Sequence, residues 1–122
     1  MALGRHGEHA NVWSNHKADG DHAESEAFDM HLGDELQAFG RAGGAIRVRL
    51  QFSQDGRSWY NGPIVDTDDD GDFDIRESGI QARYVRLLAL RGPDFKAYAE
   101  GEEREEREPM NLTATLVAKT TR

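Results

Sequence analysis

The densest chemistry in the chain is the run Asp66-Thr67-Asp68-Asp69-Asp70-Gly71-Asp72-Phe73-Asp74-Ile75-Arg76-Glu77. Asp66, Asp68 and Asp70 stand at alternating positions, Gly71 allows a sharp turn, and Glu77 is placed to close a loop. Carboxylate oxygens in this pattern suit a hard cation, and calcium is the expected ion. Asp66, Asp68, Asp70 and Glu77 would offer side-chain oxygens, Asp72 its carbonyl, and Asp74 a water-mediated contact. Like charges about 5 Å apart repel by roughly 1 kcal/mol per pair even at the dielectric constant of water, so a bound cation would relieve several pairs.

The spacing resembles the calcium loop of EF-hands, but the flanks do not. Asn61-Gly62-Pro63 precedes the run and Ser78-Gly79 follows it, so neither side carries the helix that an EF-hand requires. A solvated acidic turn joining two strands is the plainer reading of the run, and the calcium loop the functional one. Trp59 and Tyr60 form a second candidate site, in which the rings stack on a sugar; edge packing is the plainer use of such residues, and of Trp13. The histidines, at positions 6, 9, 16, 22 and 31, read as solvated, because Gly7 argues against a helix that would bring His6 and His9 onto one metal. No nucleophile elbow or glycine-rich phosphate loop is present, and no catalytic residue is assigned. A metal-dependent hydrolase built on the acidic run is the weakest of the readings.

The elements that would position these residues are strands. Ile46, Val48, Leu50 and Phe52 alternate with Arg47, Arg49 and Gln51, the period-2 pattern of a strand with one buried face. Phe28, Met30 and Leu32 alternate with Asp29 and His31, and Leu36 to Phe39 continues the pattern after Gly33. Ser58-Trp59-Tyr60 begins a short strand that Gly62-Pro63 ends. Phe73 and Ile75 alternate with Asp72 and Asp74, residues 82–90 form a further strand, and Leu112, Ala114, Leu116 and Ala118 alternate with Thr113, Thr115 and Val117. Residues 1–26 read as a polar N-terminal arm with at most one short strand, and residues 27–122 as the folded domain. The acidic stretch 101–108 reads as a solvated loop, with contact to a basic surface as the alternative use. Strands at this spacing, with no amphipathic helix between them, predict an all-β antiparallel sandwich or barrel.

Composition narrows the function. The 122 residues make one domain, and 37% hydrophobic content allows a modest core. With 23 acidic and 15 basic residues the net charge is −8, which disfavours nucleic acid and anionic lipid as partners. The absence of cysteine removes disulfides, thiolate nucleophiles and cysteine-ligated zinc. No stretch approaches the roughly 20 apolar residues of a membrane-spanning helix, so membrane insertion is not expected. The first residues lack the apolar segment of a secretory signal; if Met1 is the start, the chain is expected to remain where it is made.

Ile46 to Trp59, with Ser53, Asp55, Gly56 and Trp59 as its marks, followed by Ala82-Arg83-Tyr84-Val85-Arg86-Leu87, resembles the discoidin or coagulation-factor type C family. Asp55-Gly56 supplies the hairpin turn, Trp59 is expected to close over the core, and Tyr84 to pack from the later strand. The resemblance implies an antiparallel β-sandwich of jelly-roll or discoidin-like type, behind the polar N-terminal arm, whose loops bind glycans or lipid headgroups, and it marks scaffold positions rather than a ligand site. The terminal disulfide of vertebrate members is absent. Compact, cysteine-free versions occur in virions of tailed phages as capsid decorations, tail components and fibres. The expectation is therefore a non-enzymatic structural or adhesive virion protein, assembled in the host cytoplasm, whose partners are other virion subunits or further copies of itself. The alternative is a calcium-assisted carbohydrate-binding module that holds a surface glycan near Trp59.

Overall fold

Alternation of small apolar and polar side chains drives the strands. In the last of them, Leu112, Ala114, Leu116 and Ala118 are buried while Asn111, Thr113 and Lys119 face solvent, the pattern of a sheet with one wet face. The computed structural model describes residues 8–18, 20–30, 33–68, 70–91 and 110–119. They form strands β1 (Glu8–Ala18), β2 (His22–Glu24), β3 (Phe28–Asp29), β4 (Glu35–Arg41), β5 (Arg47–Ser53), β6 (Tyr60–Asp66), β7 (Asp72–Ser78), β8 (Tyr84–Leu90) and β9 (Met110–Lys119).

Two antiparallel sheets result, one ordered β1-β9-β4-β7 and the other β2-β8-β5-β6, with β3 also paired to β8. Each sheet interleaves strands from the two ends of the chain with strands from its middle, the double Greek-key winding of a jelly roll. The all-β sandwich expected from the sequence is the fold observed. Leu36, Ala38, Phe73, Ile75, Leu112 and Leu116 from the first sheet face Val48, Leu50, Val85, Leu87 and Ala89 from the second, and together they form one core.

Residues 8–24 are not an arm. Strand β1 pairs with β9 from Glu8↔Ala118 to Ala18↔Met110, and Val12, Trp13 and Ala18 belong to the core. The alternation is hidden in the sequence because the register shifts between Asn11 and Trp13 and again between Trp13 and His16. Asn15 adopts the left-handed conformation at φ 50. The domain therefore begins within the first 26 residues; residues 1–7 lie outside the described residues, as does the acidic stretch 101–108.

Two further boundaries differ from expectation. The strand expected from Phe28 to Leu32 is limited to Phe28–Asp29, with residues 31–32 outside the described residues. Strands β2 and β3 are two pieces of one edge strand, interrupted at Ser25. There the side chain substitutes for a ladder partner: Leu87 N–H donates to Ser25 Oγ at 2.8 Å, and Ser25 N–H donates to Leu87 O at 2.9 Å. Strand β6 runs through Gly62-Pro63 instead of ending there. Among the described residues it pairs only with β5, so a missing N–H on Pro63 breaks no second ladder, and the register shifts between Arg49 and Gln51, opposite the Gly62-Pro63 pair.

Candidate assembly surface

Strands β4, β7 and β9 place an orderly polar surface on the outer face of the first sheet. Thr115 Oγ1 donates to Asn11 Oδ1 at 2.7 Å, Gln37 Nε2 donates to Asp74 Oδ1 at 3.2 Å, and Arg41 Nε donates to Asp72 Oδ1 at 2.7 Å. Phe39 lies in register between Thr115 and Asp74 and is 41% exposed, an aromatic ring on an otherwise hydrophilic surface. Shallow concavities lie toward the two ends of this face. One is lined in part by Asn15, Phe39, Arg41, Asp72 and Thr113, the other by Glu35, Gln37, Arg76, Glu77 and Lys119.

The acidic run leads from one sheet to the other. Asp66 ends β6 in the second sheet and pairs with Arg47 at 3.1 Å, whereas Asp72 and Asp74 lie on β7 in the first. Between them Asp68 organises the turn. Its Oδ1 accepts from the backbone N–H of Asp70 and of Asp72, both at 2.9 Å, and its own N–H donates to Asp72 O at 3.0 Å. Gly71 is buried at φ 89, and an added Cβ would come within 2.7 Å of Gly44 N, so both the backbone and the space require glycine. Thr67 ties the turn down: Ile46 N–H donates to its Oγ1 at 2.9 Å, and its N–H donates to Ile46 O at 3.0 Å.

This geometry does not gather the six expected metal ligands. Because β7 is extended, Glu77 lies about 17 Å along the strand from Asp72, on the opposite face from Asp74. Asp72 is engaged by Arg41, and Asp74 by Gln37 and, at 3.4 Å, Arg76. Asp70 is solvent-exposed. Among the described residues no three acidic or histidine side chains converge on a common point.

Trp59 and Tyr60 also separate. Trp59 lies on the outer face of the second sheet rather than over the core, with the Arg86 guanidinium carbon 4.3 Å from the ring centroid. Arg86 continues a polar relay across that sheet. Its Nε donates to Gln51 Oε1 at 2.8 Å, Gln51 Nε2 donates to Asn61 Oδ1 at 2.9 Å, and Arg86 Nη2 reaches Glu24 at 3.4 Å. One face of the Trp59 ring is thus occupied by the chain's own arginine. Tyr60 stands apart and is 67% exposed.

The Ser53, Asp55 and Gly56 motif is a turn. Ser53 is buried; its Oγ accepts from Gly56 N–H at 2.8 Å and its hydroxyl donates to Asp55 Oδ1 at 3.1 Å. Asp55 Oδ1 also accepts from Ser58 N–H and Arg57 N–H, and these backbone bonds, with the Ser53 hydroxyl, hold its carboxyl below the usual range. Gly56, at φ 79, packs on the Tyr84 ring. The Arg41 side chain likewise holds the Asp72 carboxyl low and is itself raised by Asp72, while Asp29 raises Arg83. The shifted groups are turn and cross-strand pairs, the arrangement of a scaffold. Phe39, Arg41 and Arg76 were not singled out by sequence; the alternation of residues 35–41 was the available signal for Phe39.

No protein-family model matches this chain, and no curated protein does. Solved structures share its fold at low identity. The PBSX exported protein XepA superposes with a TM-score of 0.68 at 9% identity, over 94% of this chain and 38% of its own length. The chain thus spans well under half of XepA. The SPBc2 prophage-derived protein YomS gives a TM-score of 0.51 at 9% identity, covering 92% of this chain and 93% of that one. A protein of Bacillus endospore appendages, described as disulfide-linked pili, gives 0.50 at 9% identity, covering 96% and 91%. At such identities the likeness is one of fold.

Proposed function

We propose that this chain is a non-enzymatic structural module of a phage-type particle, a capsid decoration, tail or fibre component, that acts by packing a rigid sandwich against neighbouring subunits. The observation that carries the reading is that nearly the whole chain superposes on a prophage-derived protein and on a protein of pilus-forming appendages. Each superposition also spans nine tenths of the other solved chain. The surface fits this use: Asp55 is spent on a turn and Asp72 on a cross-strand pair, and among the described residues the exposed large apolar side chains are Phe39, Tyr60 and Ile64. With no cysteine in the chain, subunits would be held without disulfides, through interfaces that need about 1,000 Å² or more to be stable.

Purified particles test the proposal. Mass spectrometry is expected to find the chain in stoichiometric amounts, and cryo-electron microscopy to place a jelly roll of this strand order at a repeated position. A chain recovered only outside particles, in the soluble fraction, would overturn it.

A further inference from the structure

We infer that the outer edge of β7 pairs with the same edge of a second copy, antiparallel about Ile75, so that the two four-stranded sheets join across a two-fold axis. Among the described residues the sandwich has four edge strands, and three are interrupted. Strand β1 has two register shifts, the β2–β3 edge breaks at Ser25, and β6 carries Pro63 and a register shift. Strand β7 is different: it pairs with β4 without a break from Glu35↔Ser78 to Arg41↔Asp72 and contains no proline. Among the described residues no strand lies beyond it.

The direction of its backbone groups follows from the ladder. Ala42 N–H donates to Gly71 O, which fixes the positions that bond across to β4 as Phe73, Ile75 and Glu77. The N–H and C=O of Asp72, Asp74 and Arg76 therefore point away from β4. Those of Asp72 are engaged by Asp68. Asp74 and Arg76 remain as the central bonding positions of the edge.

Charge then selects the register. Antiparallel pairing about Ile75 sets Asp74 opposite Arg76 of the second copy, and Arg76 opposite its Asp74. Both pairs are at positions that exchange backbone hydrogen bonds, with their side chains on the solvent face. A shift by two residues in either direction sets Asp74 against Asp74 or Arg76 against Arg76. Among the described residues the exposed large apolar side chains are Phe39, the β4 neighbour of Asp74, and Tyr60 and Ile64 on β6, the edge of the second sheet.

This inference deepens the assembly reading and rests on it, and solution mass separates the two. By sedimentation equilibrium the full chain is expected to form a dimer. Arg76→Asp should weaken it by about tenfold or more, because like charges then face each other in both pairs. The exchange Asp74→Arg with Arg76→Asp should restore it. Circular dichroism should be unchanged throughout, since both side chains face solvent. Because the chain has no cysteine, a mixture of Asp74→Cys and Arg76→Cys proteins should cross-link on oxidation while neither does so alone. A wild-type monomer at the highest soluble concentration, a dimer indifferent to Arg76→Asp, an exchange that fails to restore pairing, or equal cross-linking of the single variants would each overturn the inference. A monomer found in particles removes this pairing alone; a dimer absent from particles removes the particle reading alone.

Discussion

Arg86 lies over Trp59 at 4.3 Å while its Nε donates to the buried Gln51, so the tryptophan covers a relay that crosses the second sheet from Asn61 to Glu24. The ring serves the scaffold. Trp59→Ala and Arg86→Ala are each expected to destabilise the fold, and a double-mutant cycle in urea should give a coupling of about 0.5–1 kcal/mol. A coupling near zero would show that the two side chains act independently.

Ser25 bridges a broken edge strand with its hydroxyl. Ser25→Ala leaves the N–H of Leu87, a fully buried residue, without that acceptor, and should cost about 1–3 kcal/mol in denaturant unfolding. Ser25→Thr keeps the hydroxyl and should recover part of the loss.

At Gly71, any side chain meets both a left-handed backbone and the neighbouring Gly44 nitrogen. Gly71→Ala is expected to lower stability by about 1–3 kcal/mol, more than the same change at Gly79, which also has positive φ but has open space around it. Thermal unfolding of the two variants side by side makes the comparison.

Asp55 and Asp72 have carboxyl pKa values held low in the folded protein. Each therefore adds stability that is fully present above about pH 4, where the unfolded carboxyl is ionised, and that disappears as pH falls through the depressed folded value. Urea midpoints measured from neutral pH downward should fall more steeply for the wild type than for Asp55→Asn. Parallel curves would show that the turn does not depend on the charge.

Asp66 and Asp72 are turned to arginines, Asp74 to Gln37 and Asp68 to backbone N–H groups rather than to one another. Calorimetric titration with calcium is expected to give no saturable heat, and a chelator to leave the unfolding temperature unchanged. Saturable binding would mean that the turn rearranges around the ion.

Where the chain obeys a strict period of two, its structure was legible from sequence. Arg47–Ser53, Asp72–Ser78 and Met110–Lys119 are strands with the expected faces buried, except at the end of the first, where Gln51 and Ser53 are buried and Phe52 is half-buried, and Asp55-Gly56 is the turn between β5 and β6. Strand β1 was not legible, because its two register shifts place Val12 and Trp13 side by side in the core and leave no alternation to read. Pro63 read as a stop because local sequence does not reveal that β6 is an edge, where a missing N–H costs little. The acidic run shows the limit of spacing alone. Its spacing is that of a coordinating loop, but Phe73 and Ile75 draw its second half into a strand, and an extended chain carries Glu77 away from Asp68.

Strand β9 sits between β1 and β4, joined to both along most of its length. During synthesis, residues 8–18 must therefore wait about a hundred residues for their neighbour, and a product ending before Met110 has β1 with no partner and β4 held from one side. An incomplete molecule thus exposes raw edges that a finished one hides, which gives proteases and chaperones a clear mark by which to tell the two apart.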